Sequence, residues 1–407
     1  MRSPILRAVS LFAAILFAVG TRAALAQDEL FVTNGGGDTV TVYTRTANGN
    51  MAPIRTISGG ATGLSTPRGL AVDTVNNELA VANAGSGGNA SITVYPLAAN
   101  GNVAPLRTIS FATVSNITVG LAVDTVNNEF FVAIGIPTNS VLVFARTANG
   151  NVAPLRTISG AATGLNGPYG VALDTVNNEV AVTNLGGNSV TVYSRTASGN
   201  VAPLRTISGA ATGLSSPTGL AVDTVNNELV AANNGGNSVT VYARTANGNV
   251  APLRTISGAA TGVSGPVGVA VDTVNNELAV VNPIIGNSSV TVYTRTANGN
   301  VAPLRTLQGA ATGFNIPLFV GITTGGVAPT ATPTSPPGTP TATPTSPPAT
   351  PTPTSPPATP TPTSPPGPTS TPLPGGIVVP TLDVRGQIAL MLILAAIGIL
   401  AIRRMSS

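Results

Sequence analysis

The chain has 407 residues, 43% of them hydrophobic and only 8% charged, with a formal net charge of +4. It contains no cysteine, histidine or tryptophan, and all 18 of its basic residues are arginine. These absences exclude disulfides, thiolate and imidazole metal sites, Ser-His-Asp and Cys-His catalysis, and lysine Schiff bases.

Residues 1–26 read as a secretory signal peptide. Arg2 and Arg7 give a positive start, residues 8–20 an apolar core, and Ala24-Leu25-Ala26 a small-residue cleavage site. Cleavage after Ala26 leaves a mature chain that begins at Gln27.

Residues 27–326 are organised around one repeated block. The Asp of Asp-Thr-Val-Asn-Asn returns at Asp73, Asp124, Asp174, Asp223 and Asp272, and the Arg of Arg-Thr-Ile/Leu at Arg55, Arg107, Arg156, Arg205, Arg254 and Arg305. A period of about fifty residues restricts the fold to a few repeat architectures. In the clearest copy four short β-type runs stand out: A at residues 219–223, B at 229–233, C at 238–243 and D at 253–257. Val-Asn-Asn separates A from B, Asn-Gly-Gly-Asn separates B from C, and Ala-Asn-Gly-Asn separates C from D. Asn-Gly and Gly-Gly reach positive φ cheaply and close antiparallel hairpins. A longer Gly/Ala/Thr/Ser loop links D to the next A. Strands A and B are apolar on both faces, as in sheets sandwiched between neighbours, whereas C alternates, which predicts a half-exposed outer position.

Four strands per block describe a propeller blade. Residues 30–34, 39–44 and 54–58 supply a B, a C and a D strand with no A, and residues 317–324 supply an A strand alone. Joined, they complete a split blade. The sequence therefore predicts an all-β fold, a six-bladed β-propeller with four antiparallel strands per blade closed three plus one, which removes exposed edges. Between residues 28 and 326, 12 arginines face 13 acidic residues, a balance of −1. The basic excess thus lies in the terminal segments, and with few aromatics no nucleic-acid surface is expected.

Residues 327–376 cycle through Ala-Thr-Pro-Thr-Ser-Pro-Pro. Such composition cannot build a core and favours extended polyproline II, so this segment is expected to be a disordered stalk. Residues 377–407 read as an anchor: residues 388–402 form an unbroken apolar run before Arg403-Arg404. At ~1.5 Å per residue the run covers about 22 Å of a ~30 Å hydrocarbon core, with snorkelling arginines covering part of the rest. The arginine pair predicts a cytoplasmic C-terminus, with the propeller held outside the cytoplasm.

Two resemblances follow. Phe31-Val-Thr-Asn34, Ala80-Val-Ala-Asn83 and Ala181-Val-Thr-Asn184 stand where the YVTN signature stands, and the Pro-x-Gly-Leu/Val-Ala-Val/Leu-Asp runs at 67–73, 168–174, 217–223 and 266–272 where NHL repeats begin. The chain thus resembles the NHL and YVTN repeat propellers, a likeness that implies architecture more than activity. Val379-Pro380-Thr381-Leu382, Gly386, the apolar run and Arg403-Arg404 resemble the IPTL-CTERM sorting tail, although Asp383 and Arg385 stand where that family usually has Ser and Trp. This resemblance implies a Gram-negative envelope protein whose tail is a substrate for a membrane sorting protease.

For chemistry the sequence offers one Asp/Glu pair per blade, from Asp73 and Glu78 onward, and Asn34, Asn83, Asn184, Asn233 and Asn282 at the ends of B strands. Near-identical pairs suit structural roles: Asp capping the A–B turn, Glu pairing with a strand arginine. The Asn set is the nearest candidate for a calcium site of the kind six-bladed lactonases carry, or else it starts the B–C turns. The third block breaks that ring, with Ala133-Ile134 in its place. If one rim sector contacts a partner, the apolar stretches at 111–118, 130–131 and 134–137 mark it. The leading expectation is a non-catalytic binding or structural module, with no catalytic residues and no cofactor, meeting an envelope protein or polysaccharide through its D–A and B–C loops. The alternative is a calcium-dependent, lactonase-like hydrolase.

Overall fold

Hairpins form where the repeat supplies left-handed backbone. Asn77, Asn128, Asn178, Asn227 and Asn276 close the A–B turns at φ between 54° and 60°, a region asparagine tolerates better than other residues with a Cβ. The computed structural model describes residues 28–85, 89–112 and 119–323. The expected signal peptide with Ala24, Ala26 and Gln27, the stalk, the sorting motif and the membrane helix lie outside the described residues.

Six sheets form among the described residues. The first contains β1 (Glu29–Asn34), β2 (Thr39–Thr44) and β3 (Arg55–Ile57); the second β4 (Pro67–Asp73), β5 (Glu78–Asn83), β6 (Asn89–Pro96) and β7 (Arg107–Ala112). The third holds β8 (Val119–Asp124), β9 (Glu129–Ile134), β10 (Ser140–Ala145) and, after the two-residue β11 (Gly150–Asn151), β12 (Arg156–Ser159). The fourth is β13 (Pro168–Asp174), β14 (Glu179–Asn184), β15 (Ser189–Ser194) and β16 (Arg205–Ser208). The fifth is β17 (Pro217–Asp223), β18 (Glu228–Asn233), β19 (Ser238–Ala243) and β20 (Arg254–Ser257). The sixth is β21 (Val269–Asp272), β22 (Glu277–Asn282), β23 (Ser289–Thr294) and β24 (Arg305–Gln308). The last strand, β25 (Pro317–Thr323), pairs antiparallel with β1, Glu29 opposite Thr323, and closes the ring as three strands plus one. The fold is a six-bladed β-propeller.

Two expectations are corrected by the packing. Strand C is not half-exposed: in β19 Ser238, Val239, Thr240, Val241 and Tyr242 are all buried, because neighbouring blades cover both faces and D shields the edge. The Asn-Gly pairs of the C–D loops do not close tight hairpins. Each loop instead reaches the outer strand of the preceding blade, where Gly101, Gly199, Gly248 and Gly299 bridge in parallel to Ile57, Ile158, Ile207 and Ile256. Flanking asparagines accept backbone N–H groups there, as in Thr56 N to Asn100 Oδ1 at 3.1 Å and Ala61 N to Asn102 Oδ1 at 2.8 Å. Five outer edges and β7, which pairs with β11, are thereby covered.

The core lies between blades. Val230, Ala232, Val239, Val241 and Ile256 of the fifth blade pack with Leu278, Val280 and Tyr293 of the sixth, each aliphatic side chain stabilising by about 1.5–3 kcal/mol. The strand-C tyrosines reach across the seams: Tyr95, Tyr193 and Tyr242 donate to the carbonyls of Thr62, Thr163 and Thr212 in the preceding D–A loops. Burial pushes the hydroxyls of Tyr95, Tyr193, Tyr242 and Tyr293 up to about 12. At the hub the glycine of Pro-x-Gly leaves no room for a Cβ in the fourth, fifth and sixth blades. A Cβ on Gly170 would lie 2.4 Å from the Thr218 carbonyl of the next blade, and one on Gly219 2.4 Å from that of Val267.

Gly170→Ala should therefore lower stability by about 1–3 kcal/mol through overpacking. The check is the denaturant midpoint, with Gly60→Ala as a comparison in which the new methyl meets no atom within 4 Å and the backbone is not left-handed.

Candidate functional site

The B-strand asparagines are buried and fully employed. Asn83, Asn184, Asn233 and Asn282 accept through Oδ1 the N–H of Ser65, Asn166, Ser215 and Ser264 at 3.1, 3.1, 3.2 and 3.1 Å. Asn34 accepts from Asn315 N at 3.3 Å. Their Nδ2 groups donate to Thr41, Thr93, Thr191, Thr240 and Thr291 hydroxyls at 2.9–3.1 Å. The B–C turns do start at these residues, the carbonyls of Asn34, Asn184 and Asn233 accepting from Gly37, Gly187 and Gly236, but the side-chain amides expected to cap the turns face the D–A loops instead. They tie each D–A loop to its own blade, because the loop folds back over the end of strand B. The B–C turns hold the same loops from the neighbouring blade: Asp38, Asn139, Asn188 and Asn237 accept from Thr66, Gly167, Ser216 and Gly265 at 2.6–2.8 Å.

The acidic pairs form the opposite face. Asp73, Asp124, Asp174, Asp223 and Asp272 accept backbone N–H groups of their A–B turns, as in Asn127 N to Asp124 Oδ1 at 3.0 Å. Each B-strand glutamate pairs with the strand-D arginine of its blade: Glu29–Arg55, Glu78–Arg107, Glu129–Arg156, Glu179–Arg205, Glu228–Arg254 and Glu277–Arg305. The arginine that follows strand C crosses to the preceding blade. Arg195 meets Asp124 at 2.8 Å, Arg295 meets Asp223 at 3.0 Å, Arg146 meets Glu78 at 2.6 Å, Arg244 meets Glu179 at 3.0 Å and Arg45 meets Glu277 at 2.6 Å. The arginine hydrogen bonds hold Glu78 and Glu179 below the ordinary glutamate range against burial. For Glu277 burial is the larger single influence, but Arg305 and Arg45 together still bring it below that range.

One seam differs on both sides at once. In the second blade Leu97 stands where the crossing arginine belongs, and in the first blade Thr323 stands where the others have Asp. Thr323 Oγ1 accepts from Glu29 N at 2.9 Å, and Leu97 is buried. The joint exchange avoids leaving a buried carboxylate without its arginine.

Most of the apolar sector expected to mark a contact rim is core, although Ile136 at its end is 60% exposed. Phe111, Phe130, Phe131 and Ile134 are buried, with Phe111 stacked on Phe144 at 5.1 Å; residues 113–118 lie outside the described residues. Further exposed aliphatic side chains sit at the A–B turn tips, where Val75, Val126, Val176, Val225 and Val274 are 58–77% exposed, and on the C–D loops at Leu106, Leu155, Leu204, Leu253 and Leu304.

The channel holds a group that sequence reasoning missed. Each inner strand packs against the inner strands of both neighbours. Half-buried Val72, Val123, Leu173, Val222, Val271 and Ile322 occupy the same position in the six inner strands. Near the D–A loops, Tyr169 of the fourth blade stacks on Phe319 of the first, centroids 5.9 Å apart and planes at 16°. These blades are opposite one another, so the rings meet across the channel. Arg68 of the second blade lies beside the Tyr169 hydroxyl, where its charge opposes the upward shift that burial imposes. The available signal was the variable residue of Pro-x-Gly: Arg68, Val119, Tyr169, Thr218, Val267 and Leu318 in a chain of otherwise near-identical repeats.

A family described as Lactonase, 7-bladed beta-propeller matches residues 127–271. The match covers part of the ring, whose six sheets set the blade number. No curated protein matches the sequence. Among solved structures, a chain of a nidogen/laminin complex is 14% identical over 72% of this chain and 98% of that one, with a TM-score of 0.50. A protein from Lactobacillus plantarum is 16% identical over 73% and 99%, with a TM-score of 0.49. A functionally unknown protein from Desulfotomaculum acetoxidans is 13% identical over 73% and 99%, also with a TM-score of 0.49. The nidogen/laminin similarity concerns fold alone.

Two measurements test the seam. Thr323→Asp alone should destabilise, and adding Leu97→Arg should recover part of the loss, with a coupling of about 0.5–3 kcal/mol in a double-mutant cycle. Because the folded-state pKa values of Glu78, Glu179 and Glu277 are depressed, their stabilisation is present above the unfolded value of about 4.3 and lost as pH falls through the folded values. Urea unfolding should thus show stability level between about pH 5 and 7 and falling below about pH 4.3, less steeply in Glu78→Gln.

Proposed function

We propose that the chain is an exported propeller that serves as a non-catalytic binding module at the bacterial cell envelope. In this reading residues 1–26 direct export, residues 327–376 form the stalk and residues 377–407 anchor it. The observation that carries the reading is the use of the acidic side chains. Every Asp and Glu among the described residues holds a turn, a loop or an arginine, as with Asp28–Arg45, Asp38–Thr66 and the seam pairs. Carboxylates committed to the fold are poor candidates for acid–base work, which needs a group poised for a reacting proton.

The D–A and B–C loops, by contrast, form a surface held from both sides. A preordered surface binds with less entropic cost than mobile loops. Glu29 and Thr323 pair at the A–B end of the first blade, so the chain enters and leaves the propeller at the other face. The D–A and B–C face lies at the end of the blades opposite Glu29 and Thr323, and a protein or polysaccharide of the envelope or matrix is its partner.

A lactonase-like hydrolase is the second reading, supported by the family match over residues 127–271. The donors present do not fit a calcium site. Asn34, Asn83, Asn184, Asn233 and Asn282 already engage their amide oxygens, and among the described residues no group of three or more acidic side chains stands close enough to hold a metal.

Protease digestion of intact and permeabilised cells expressing the full chain should cut the propeller from outside, and deletion of residues 388–402 should release it to the medium. Protection in intact cells would reject the envelope assignment. The purified protein should hydrolyse lactones at the background rate with or without calcium; calcium-dependent turnover would put the hydrolase first.

A further inference from the structure

Near-identical repeats produce equivalent environments, so a ligand site is best sought where the six-fold pattern breaks. Inside the propeller the sharpest break is at the D–A end of the channel. Five inner strands carry glycine after the variable residue, and at four of them, Gly120, Gly170, Gly219 and Gly268, a Cβ would strike the neighbouring backbone; the sixth carries Phe319. Its ring stacks on Tyr169 across the channel. Leu318 and Val267 are buried in the same cluster as both rings. Together they form an apolar cluster at this end of the ring's centre.

Against this cluster lies the charge that the fold does not use. Of the arginines among the described residues, eleven carry carboxylate partners. Arg68 carries none, and its Nε is buried without a hydrogen-bond partner. Since Arg68 and Tyr169 belong to blades that are not neighbours, their approach can occur only through the channel. Arg68 is itself only half-buried, so solvent reaches it. Its backbone is fixed, the carbonyl accepting from Thr33 Oγ1 at 2.6 Å. A partly desolvated guanidinium without a carboxylate partner among the described residues attracts an anion, and its fork suits a carboxylate bidentately. The phenol beside it adds a donor, and the aromatic faces suit a flat or aliphatic body.

We infer that Arg68, Tyr169 and Phe319 form a binding site for a small organic carboxylate, entered from the D–A and B–C face. The carboxylate takes the guanidinium and the Tyr169 hydroxyl, and the body lies on the ring pair. The site goes beyond the proposed macromolecular binding role and stands whether or not the chain is displayed on the envelope. It requires no metal and no acidic residue.

Benzoate is the probe and benzamide its uncharged isostere, each titrated into the full-length protein. The readouts are melting temperature and the tyrosine difference spectrum. The chain has no tryptophan, and Tyr43, Tyr95, Tyr193, Tyr242 and Tyr293 are held on the strand-C seams. A ligand-induced tyrosine signal therefore reports Tyr169. Benzoate should give a saturable rise in melting temperature and a tyrosine shift, with benzamide inert. Arg68→Gln should weaken benzoate at least about tenfold, the worth of one hydrogen bond to a charged group. Arg68→Lys should retain part of the affinity, and Tyr169→Phe should abolish the spectral shift while keeping weakened binding. Equal effects of benzoate and benzamide, undiminished binding by Arg68→Gln, or no saturable response to benzoate would each overturn the site. If Arg68→Gln folds poorly, the benzoate/benzamide comparison on the natural protein and Tyr169→Phe still decides.

Discussion

The arginine that crosses from the end of strand C to the acids of the preceding blade is the interaction on which this ring depends. Its partners are almost sealed from water: Asp124 and Asp223 side chains have 0% exposure, Arg195 6% and Arg295 9%. A buried pair of this kind adds little net stability over a well-packed apolar pair, but loss of one partner is costly, on the order of 3–5 kcal/mol. Its effect is therefore on specificity of assembly. A blade out of register would bury a carboxylate opposite nothing. The Leu97–Thr323 seam illustrates the same constraint, since both partners differ together where the ring closes. The A–B turn depends on the same aspartates, so turn geometry and blade docking share one residue.

The opposite face is organised by asparagine. Amides of the B strands, of the B–C turns other than Asp38's, and of the C–D loops each accept a backbone N–H of a loop or an outer strand, many of them from a different blade. Neutral amides do this without the desolvation cost of charge, and asparagine also tolerates the left-handed backbone that these turns require. The result is a D–A surface held by its own blade and the next. Such anchoring gives the D–A face a preformed shape.

Placed between these two faces, the channel is where the repeats stop being equivalent. Aliphatic residues occupy the A–B end, and an opposed tyrosine and phenylalanine stack at the D–A end. Arg68 beside them is the one arginine among the described residues with no carboxylate partner within a blade or across a seam. Repetition explains the fold economically, and departures from it mark where selection had another use for a position.

Much of the architecture was legible in the sequence. The spacing of Asp-Thr-Val-Asn-Asn gave the period, the Asn-rich turns gave the strand boundaries, and the unpaired B–C–D and A runs at the two ends required a three-plus-one closure, all of which are local properties of the chain. Strand C was misplaced because its Val/Thr alternation looks the same whether the threonines face water or the buried amides of Asn184 and Asn233. Phe130 and Phe131 read as a rim for a similar reason: exposure depends on the neighbouring sheet, which no single repeat encodes. The C–D asparagines, the arginine crossings and the Arg68–Tyr169–Phe319 group all join residues from different blades. Sequence determined the blade, because turn chemistry and strand pattern act over a few residues. Only the closed ring decided what each blade presents to its neighbours and to the channel, because those contacts exist solely once six sheets converge on one axis.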